Sequence, residues 1–205
     1  MTAPAFSRGM FDALREVLNI GVGRAAHALA ELTGRTVSLR VLDIEFLAPG
    51  QPRVLPDLSG PVILRISQAF GGALQGHALV AFHRTAASRL AQLLLGRLAT
   101  DDDFDELEQS ALLELGNIVV GAVAGSLAAA LDAPLHYELP RLQRRAVADL
   151  ADLLSDLGDV RQSRVLVVHA SLALREEDLS VYLVLLYPES GFDTLALRLA
   201  RLAPR

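Results

Sequence analysis

Residues 12–30 of this chain read DALREVLNIGVGRAAHALA, and residues 110–128 read SALLELGNIVVGAVAGSLA. The two stretches align without a gap at an offset of 98 residues, and the alignment extends over 12–42 and 110–140. Alanine and leucine coincide easily in so apolar a chain, whereas Glu, Asn, Ile and Gly in one register do not. The alignment therefore predicts an internal repeat. The identical positions of the first copy include Ala13, Leu14, Glu16, Asn19, Ile20, Gly23, Ala26, Leu29 and Ala30.

The first copy opens a half built of a helix, a strand, a hairpin and a second helix. Apolar residues recur at helical spacing from Phe11 to Leu32, and Gly34 would end that helix. Apolar and polar residues alternate over Val37–Leu47, which predicts a strand. The rest of this half is predicted as a loop over Ala48–Gly60, strands at Val62–Ser67 and Leu74–Phe82 with a turn at Gly71-Gly72, and a helix over Thr85–Leu98 closed near Gly96.

The second half repeats this plan from a long apolar helix over Phe104–Leu131, which the acidic residues Asp101, Asp102, Asp103 and Asp105 could cap. Further elements are predicted as a strand at Pro134–Leu139, a helix over Arg144–Leu157 stopped by Gly158, strands at Val165–Leu174 and Leu179–Tyr187 around a turn at Arg175–Asp178, and a helix over Phe192–Leu202. We therefore expect an α+β fold in which long helices pack on a shared, largely antiparallel sheet with pseudo-two-fold symmetry. Residues 1–205 would form a single domain, with repeat halves at about 11–99 and 104–205.

Composition narrows the classes of function. The chain has 205 residues, a net charge of −5 and no cysteine. The acidic balance argues against nucleic-acid binding, and the lack of cysteine excludes disulfides and thiol nucleophiles. The first residues lack the pattern of a signal peptide, so we expect a cytoplasmic protein. The uncharged segment Leu115–Leu131 is short for a membrane span and rich in Ala and Gly, which predicts a buried helix without membrane insertion.

The repeated polar residues share one helix face in each copy. Residues at i, i+4 and i+7 lie on one side of a helix, so Asp12, Glu16 and Asn19 form one polar stripe. Ser110, Glu114 and Asn117 form the other and must point outward from an otherwise apolar helix. One such stripe could mean only solvent exposure and helix capping by Asp12 or Ser110. Two copies in one register favour a functional site.

A Glu and an Asn one turn apart have neither a nucleophile nor a histidine base beside them. The carboxamide could orient a water molecule, and the carboxylate could anchor a cationic group. Such a pair suits the hydrolysis of a bond that is already labile, where positioning supplies most of what is missing. We expect a substrate that brings its own metal and its own reactive phosphoryl group.

These residues resemble a known motif. D12-x-x-x-E16-x-x-N19 and S110-x-x-x-E114-x-x-N117, with Pro140 placed 22 residues beyond Asn117, are similar to the motif of the CheC/CheX/FliY phosphatases of bacterial chemotaxis. The doubled motif looks most like CheC, and the resemblance spans nearly the whole chain. It implies hydrolysis of the aspartyl phosphate of a CheY-like phosphorylated response regulator, whose own Mg²⁺ would serve, with no cofactor held by this chain.

The resemblance also implies roles for single residues. Asn19 and Asn117 would align the attacking water, and Glu16 and Glu114 would contact the conserved lysine of the regulator. CheC proteins commonly pair with the receptor deamidase CheD, which is therefore a further candidate partner. The first copy has Leu42 where the second has Pro140, so the first site could be weaker or could dock the regulator differently. Two motifs in one chain favour a monomer.

Two other functions stay open. The chain could be a non-catalytic binding module for a phosphorylated regulator or CheD, or a purely structural duplicated domain. The segment Gly21–Ala26 fits a dinucleotide-binding pattern, but we reject that function because a helix precedes the segment where the motif needs a strand. We expect no metal site, because the acidic cluster lacks the glycine and the distal glutamate of a calcium loop. The histidines His27, His77, His83, His136 and His169 are likewise too scattered to suggest one.

Overall fold

The computed structural model describes residues 6–47, 53–55, 58, 60–96, 104–157, 163–174 and 177–203. These residues form an α+β fold, as the sequence predicts. The helices are α1 (Arg8–Thr33), α2 (Arg84–Leu95), α3 (Glu106–Ala130), α4 (Leu150–Leu154) and α5 (Glu189–Leu202). The strands are β1 (Val37–Leu47), β2 (Gly60–Gly72), β3 (Gly76–His83), β4 (Leu135–Tyr137), β5 (Arg141–Val147), β6 (Ser163–Leu174) and β7 (Glu177–Pro188).

The described strands form one sheet in the order β1-β6-β7-β3-β2-β4, in which β5 also pairs with β2. All of their pairings are antiparallel. The order is symmetric about the pair β7-β3. The first strand of each half pairs with the hairpin of the other half: β1 joins β6, and β4 and β5 join β2. The two halves are therefore interlocked by an exchange of strands, which the sequence did not predict.

The long helices lie together on one face of the sheet and bury an apolar core. Leu14, Leu18, Leu112 and Leu127 are at most 1% exposed on the core side of α1 and α3. The other face of the sheet is covered in part by α4, where Leu153 and other residues form a second apolar cluster with Ile63 and Leu79. Truncating a leucine in such a core to alanine typically costs about 2–5 kcal/mol.

Two glycines allow the close packing of this helix layer. A Cβ atom added at Gly21 of α1 would lie 2.8 Å from the Cα of Val123 in α3. A Cβ atom added at Gly116 of α3 would lie 2.5 Å from Cγ2 of Ile66 in β2. Both distances are shorter than real contacts of a Cβ atom. The absence of a side chain at Gly21 thus allows α1 to pack closely on α3. The absence of a side chain at Gly116 allows α3 to pack closely on the sheet.

Helix α3 is long and apolar enough to cross a membrane by length and composition. Half of its most apolar window is nevertheless buried inside the fold, against α1 and the sheet. Asp105 begins the helix by accepting a hydrogen bond from the Glu108 backbone N–H at 2.8 Å, as expected for part of the acidic cluster. Residues 101–103 of that cluster lie outside the described part of the chain.

The helix predicted over Arg144–Leu157 is wrong in its first half. Residues 141–147 form strand β5 along β2, with Arg144 opposite Leu64 and Arg145 opposite Ile63. Only Leu150–Leu154 is helical, as α4. The predicted stop at Gly158 lies outside the described residues. A helical spacing of apolar residues was overridden here by pairing with a distant strand, which a local pattern does not report.

The turn predicted at Gly71-Gly72 is also wrong, because β2 continues through both residues and the connection to β3 follows at 73–75. Gly71 and Gly72 pair with His136 and Leu135 of β4. A Cβ atom at Gly71 would lie 2.6 Å from the ring of His136, and one at Gly72 would lie 2.4 Å from the carbonyl oxygen of Pro134. These glycines are needed for close approach of two strands.

Candidate functional site

The six polar residues of the two stripes are all exposed on the surface of the long helices. Asp12, Glu16 and Asn19 lie on α1, and Ser110, Glu114 and Asn117 lie on α3. The chain contains two asparagines, and both stand in these stripes. The outward orientation predicted for the second stripe is confirmed, and the first stripe is exposed in the same way.

Capping does not explain Asp12 and Ser110. Helix α1 is capped by Ser7, which accepts a hydrogen bond from the Met10 backbone N–H at 3.3 Å, and α3 is capped by Asp105. Asp12 and Ser110 are each the fifth residue of their helix. The capping alternative is therefore excluded, and both side chains stand on the exposed face one turn before the glutamate.

The structure does not bring the two stripes together. Successive helix residues are rotated by about 100°, so Asn19 lies about 160° around α1 from Gly21, the residue that faces α3. Asn117 lies about 180° around α3 from Ser126, which accepts a hydrogen bond from Arg24 of α1 at 3.1 Å. The stripes consequently face away from each other on the two outer sides of the helix pair.

Each stripe is near an edge of the sheet that carries a β-bulge. Helix α1 contacts β1 and α3 contacts β5, at opposite edges. In β1 the pairing passes from Val41 opposite Ala170 to Asp43 opposite His169, so Leu42 is the extra residue. In the other edge the pairing passes from Tyr137 opposite Phe70 to Arg141 opposite Ser67, which again leaves one extra residue.

The positions of Leu42 and Pro140 are therefore structurally matched. Both belong to the bulged part of an edge strand, where one residue is left out of the ladder. Proline is tolerated at such a place because it has no N–H to donate. In the second copy the strand is interrupted there, between β4 and β5, and Leu139 beside Pro140 is 86% exposed. In the first copy β1 runs through Leu42 without interruption.

The second site has a polar support beneath it. Gln68 of β2 is only 5% exposed, and its Nε2 atom donates to the carbonyl oxygen of Glu138 at 2.8 Å. The same Nε2 donates to Oδ1 of Asn117 at 3.4 Å. Asn117 is thereby connected to the bulge that contains Pro140. Within the described residues, Asn19 has no such hydrogen bond to its side chain.

Sequence reasoning missed Gln68, although a signal was available. Its neighbours on the same face of β2, Leu64, Ile66 and Phe70, are buried and apolar. A glutamine in that series interrupts the apolar side of a strand, and a buried polar group generally has a specific partner. The partner could not be identified, since Asn117 is 49 residues away in the chain.

Tyr137 of β4 directly precedes the bulge beside the second stripe. Tyr137 is partly exposed on β4, and burial raises the pKa of its phenol. Within the described residues, no three His, Asp or Glu side chains are grouped as metal ligands. The stripe thus offers a carboxylate for a cation and a carboxamide for a water molecule, as inferred from the sequence.

The shared antiparallel sheet and the doubled Glu/Asn stripe agree with the resemblance to CheC proteins. The chain is 28% identical over 193 residues to the CheY-P phosphatase CheC of Bacillus subtilis, covering 90% of each protein. No family model matches the chain.

Solved structures share the fold. FliY of Thermotoga maritima matches with a TM-score of 0.74 at 19% identity, over 97% of this chain and 99% of that one. The middle domain of FliM from H. pylori matches with a TM-score of 0.65 at 10% identity, over 94% and 99%. The findings confirm the resemblance to the CheC/CheX/FliY family that the motif indicated.

Proposed function

We propose that this protein is a phosphatase that hydrolyses the aspartyl phosphate of a CheY-like response regulator in chemotaxis signalling. The observation that carries the proposal is the pair of exposed Glu/Asn stripes in a chain similar to CheC over nine-tenths of its length. A solvent face alone has no reason to repeat Glu and Asn at matched places on two helices.

In the proposed reaction, a water molecule attacks the phosphorus atom of the acyl phosphate. The bond from phosphorus to the aspartate oxygen breaks, and the products are inorganic phosphate and the free aspartate. The regulator supplies the Mg²⁺ and the labile bond, so this chain has only to position water and substrate. Asn117 and Asn19 would hold the water, while Glu114 and Glu16 would bind the lysine of the regulator.

The separation of the stripes supports two independent sites on one chain. Because they face opposite sides of the helix pair, one regulator at each stripe would not meet the other. We expect a monomer that binds two regulators, in the cytoplasm, with CheD as a further candidate partner. Light scattering and titration calorimetry would measure the mass and the stoichiometry.

The decisive experiment follows the decay of a phosphorylated CheY-like regulator from the same organism, with Mg²⁺ present. The wild-type protein should accelerate the decay, Asn117→Ala and Asn19→Ala should each keep part of that effect, and the double variant should leave the intrinsic rate of the regulator. Glu31→Gln is a matched control, since Glu31 is an exposed carboxylate of α1 beyond the stripe. A folded double variant with full activity would contradict the proposal.

The alternative is a binding module without catalysis. The FliM middle domain shares this fold, and a related solved structure from H. pylori is a complex of FliM with FliG. A regulator that binds in its phosphorylated form, with no change in its rate of phosphate loss, would establish this alternative.

A further inference from the structure

The amide of Gln68 fixes the orientation of the Asn117 carboxamide. A backbone carbonyl can only accept hydrogen bonds, so the 2.8 Å contact with the oxygen of Glu138 requires the nitrogen of Gln68 on that side. The same nitrogen faces Asn117, which must then present its oxygen. The Nδ2 group of Asn117, with its two N–H donors, is left for a ligand outside the helix.

Close packing brings these two side chains together. Gly116 precedes Asn117 in α3, and its Cα lies against the side chain of Ile66 in β2. Ile66 and Gln68 are two residues apart and therefore point from the same face of the strand. Because Gly116 has no side chain, α3 lies close enough to β2 for Gln68 to form a hydrogen bond with Asn117.

Gln68 is a poor choice for stability alone. Its Oε1 atom is buried and has no hydrogen-bond partner among the described residues. A buried acceptor without a partner destabilises a fold relative to an apolar side chain of the same shape. The hydrogen bonds from its Nε2 atom to Glu138 and Asn117 therefore explain Gln68 better than a contribution to core stability does.

The first site lacks this arrangement. At the repeat offset of 98, Tyr137 matches Leu39, and their partners Phe70 of β2 and Leu172 of β6 therefore match each other. The counterpart of Gln68 is then Ala170, which is buried and apolar. The counterpart of Gly116 at the repeat offset of 98 is Leu18, also fully buried. Asn19 therefore stands on its helix with no amide beneath it.

We propose that Gln68 is a positioning residue for Asn117. It orders the carboxamide of Asn117 in the second site, whereas the carboxamide of Asn19 in the first site is free to rotate. The role in turnover rests on the proposed phosphatase function, whereas the ordering of Asn117 does not.

The ordering can be measured in the wild-type protein. Because the chain contains two asparagines, labelling with ¹⁵N-asparagine gives two side-chain amide groups in an NMR spectrum, assigned with Asn19→Ala. We expect a higher heteronuclear NOE for the Asn117 amide than for the Asn19 amide, and a fall to the Asn19 value in Gln68→Met. Equal values in the wild-type protein would overturn the proposal, whether or not the protein is a phosphatase.

The effect on turnover is measured with one site active at a time. In the Asn19→Ala background, Gln68→Met should lower kcat roughly ten- to a hundredfold at nearly constant KM, as expected when a reacting group loses its orientation. In the Asn117→Ala background, the same change should leave the activity of the first site unaltered. A merely structural role would lower both, and that result would overturn the proposal, as would an unchanged kcat in the first background.

The thermal midpoint separates positioning from folding. Methionine has nearly the shape of glutamine and no orphan oxygen, so Gln68→Met should keep the midpoint within about 3 °C of the wild-type value. If the wild-type protein does not accelerate phosphate loss, the proposed function fails, and the NMR comparison still decides the ordering of Asn117.

Discussion

Arg65 of β2 and Asp156, just beyond the end of α4, form a two-point ion pair. The distances are 2.6 Å between Nη1 and Oδ1 and 2.8 Å between Nη2 and Oδ2. The Arg65 side chain is fully buried, whereas that of Asp156 is 37% exposed. Arg65 also donates to the carbonyl oxygen of Leu153 at 2.6 Å. The pair thus fastens α4 over the second apolar cluster, on the face of the sheet opposite the stripes.

We predict that Asp156→Asn lowers the free energy of unfolding by about 2–4 kcal/mol, because it leaves a buried guanidinium without its counter-charge. Urea denaturation measures the loss. Glu45→Gln is the matched control: it removes the partly exposed ion pair with Arg53 and should cost less than about 1 kcal/mol. Equal losses in the two variants would contradict the prediction.

The same pair makes stability depend on acid. The hydrogen bond from Arg65 lowers the pKa of Asp156 to about 2, below the ordinary value of 3.8. A carboxyl whose pKa is depressed by folding stabilises the protein above its unfolded pKa and loses that contribution as the pH falls through the folded pKa. The difference in unfolding free energy between wild type and Asp156→Asn should therefore shrink between pH 4 and pH 2. Denaturation at several pH values checks this, and a difference that widens would refute it.

Two glycines of α1 should respond oppositely to alanine. At Gly21 a Cβ atom meets the backbone of α3, so Gly21→Ala should destabilise the protein by about 1–3 kcal/mol. At Gly23 nothing lies within 4 Å, so Gly23→Ala should stabilise the helix by about 0.5–1 kcal/mol. The two thermal midpoints should move in opposite directions from the wild-type value, and movement in the same direction would be inconsistent with the packing described.

Glu114→Gln tests the proposed contact with the regulator's lysine. Losing a charge contact of about 1–1.4 kcal/mol should raise KM for the phosphorylated regulator roughly five- to tenfold, with kcat little changed. The effect should be measured in the Asn19→Ala background and should weaken at high salt. If KM stays constant while kcat falls, the carboxylate acts on the reacting atoms instead.

Much of the fold follows from local patterns. Strand β1 has the predicted bounds, Val37–Leu47, and Gly34 ends α1 in the left-handed conformation at φ 63°. Both signals lie within a few residues of what they determine. Strand β5 was missed because its structure depends on β2, about 80 residues earlier, while its own sequence carries apolar residues at helical spacing.

The candidate site also combines residues that local sequence predicted with one residue that it did not. Glu16, Asn19, Glu114 and Asn117 were predicted from spacing along single helices, and their exposure is confirmed, while their catalytic role stays a prediction. No role could be assigned to Gln68 from the sequence, because its partner Asn117 lies on a helix that is distant in the chain. The division of the chain at 11–99 and 104–205 also stays a prediction.

The exchange of strands has a consequence for synthesis of the chain. Val37 of β1 finds its partner in Leu174, so the first half cannot complete its sheet until the last third of the protein has been made. During that interval β1 has no partner strand, and contacts so distant in sequence form slowly. The emerging polypeptide therefore passes through a vulnerable stage on the ribosome, in which shielding by a chaperone would limit aggregation.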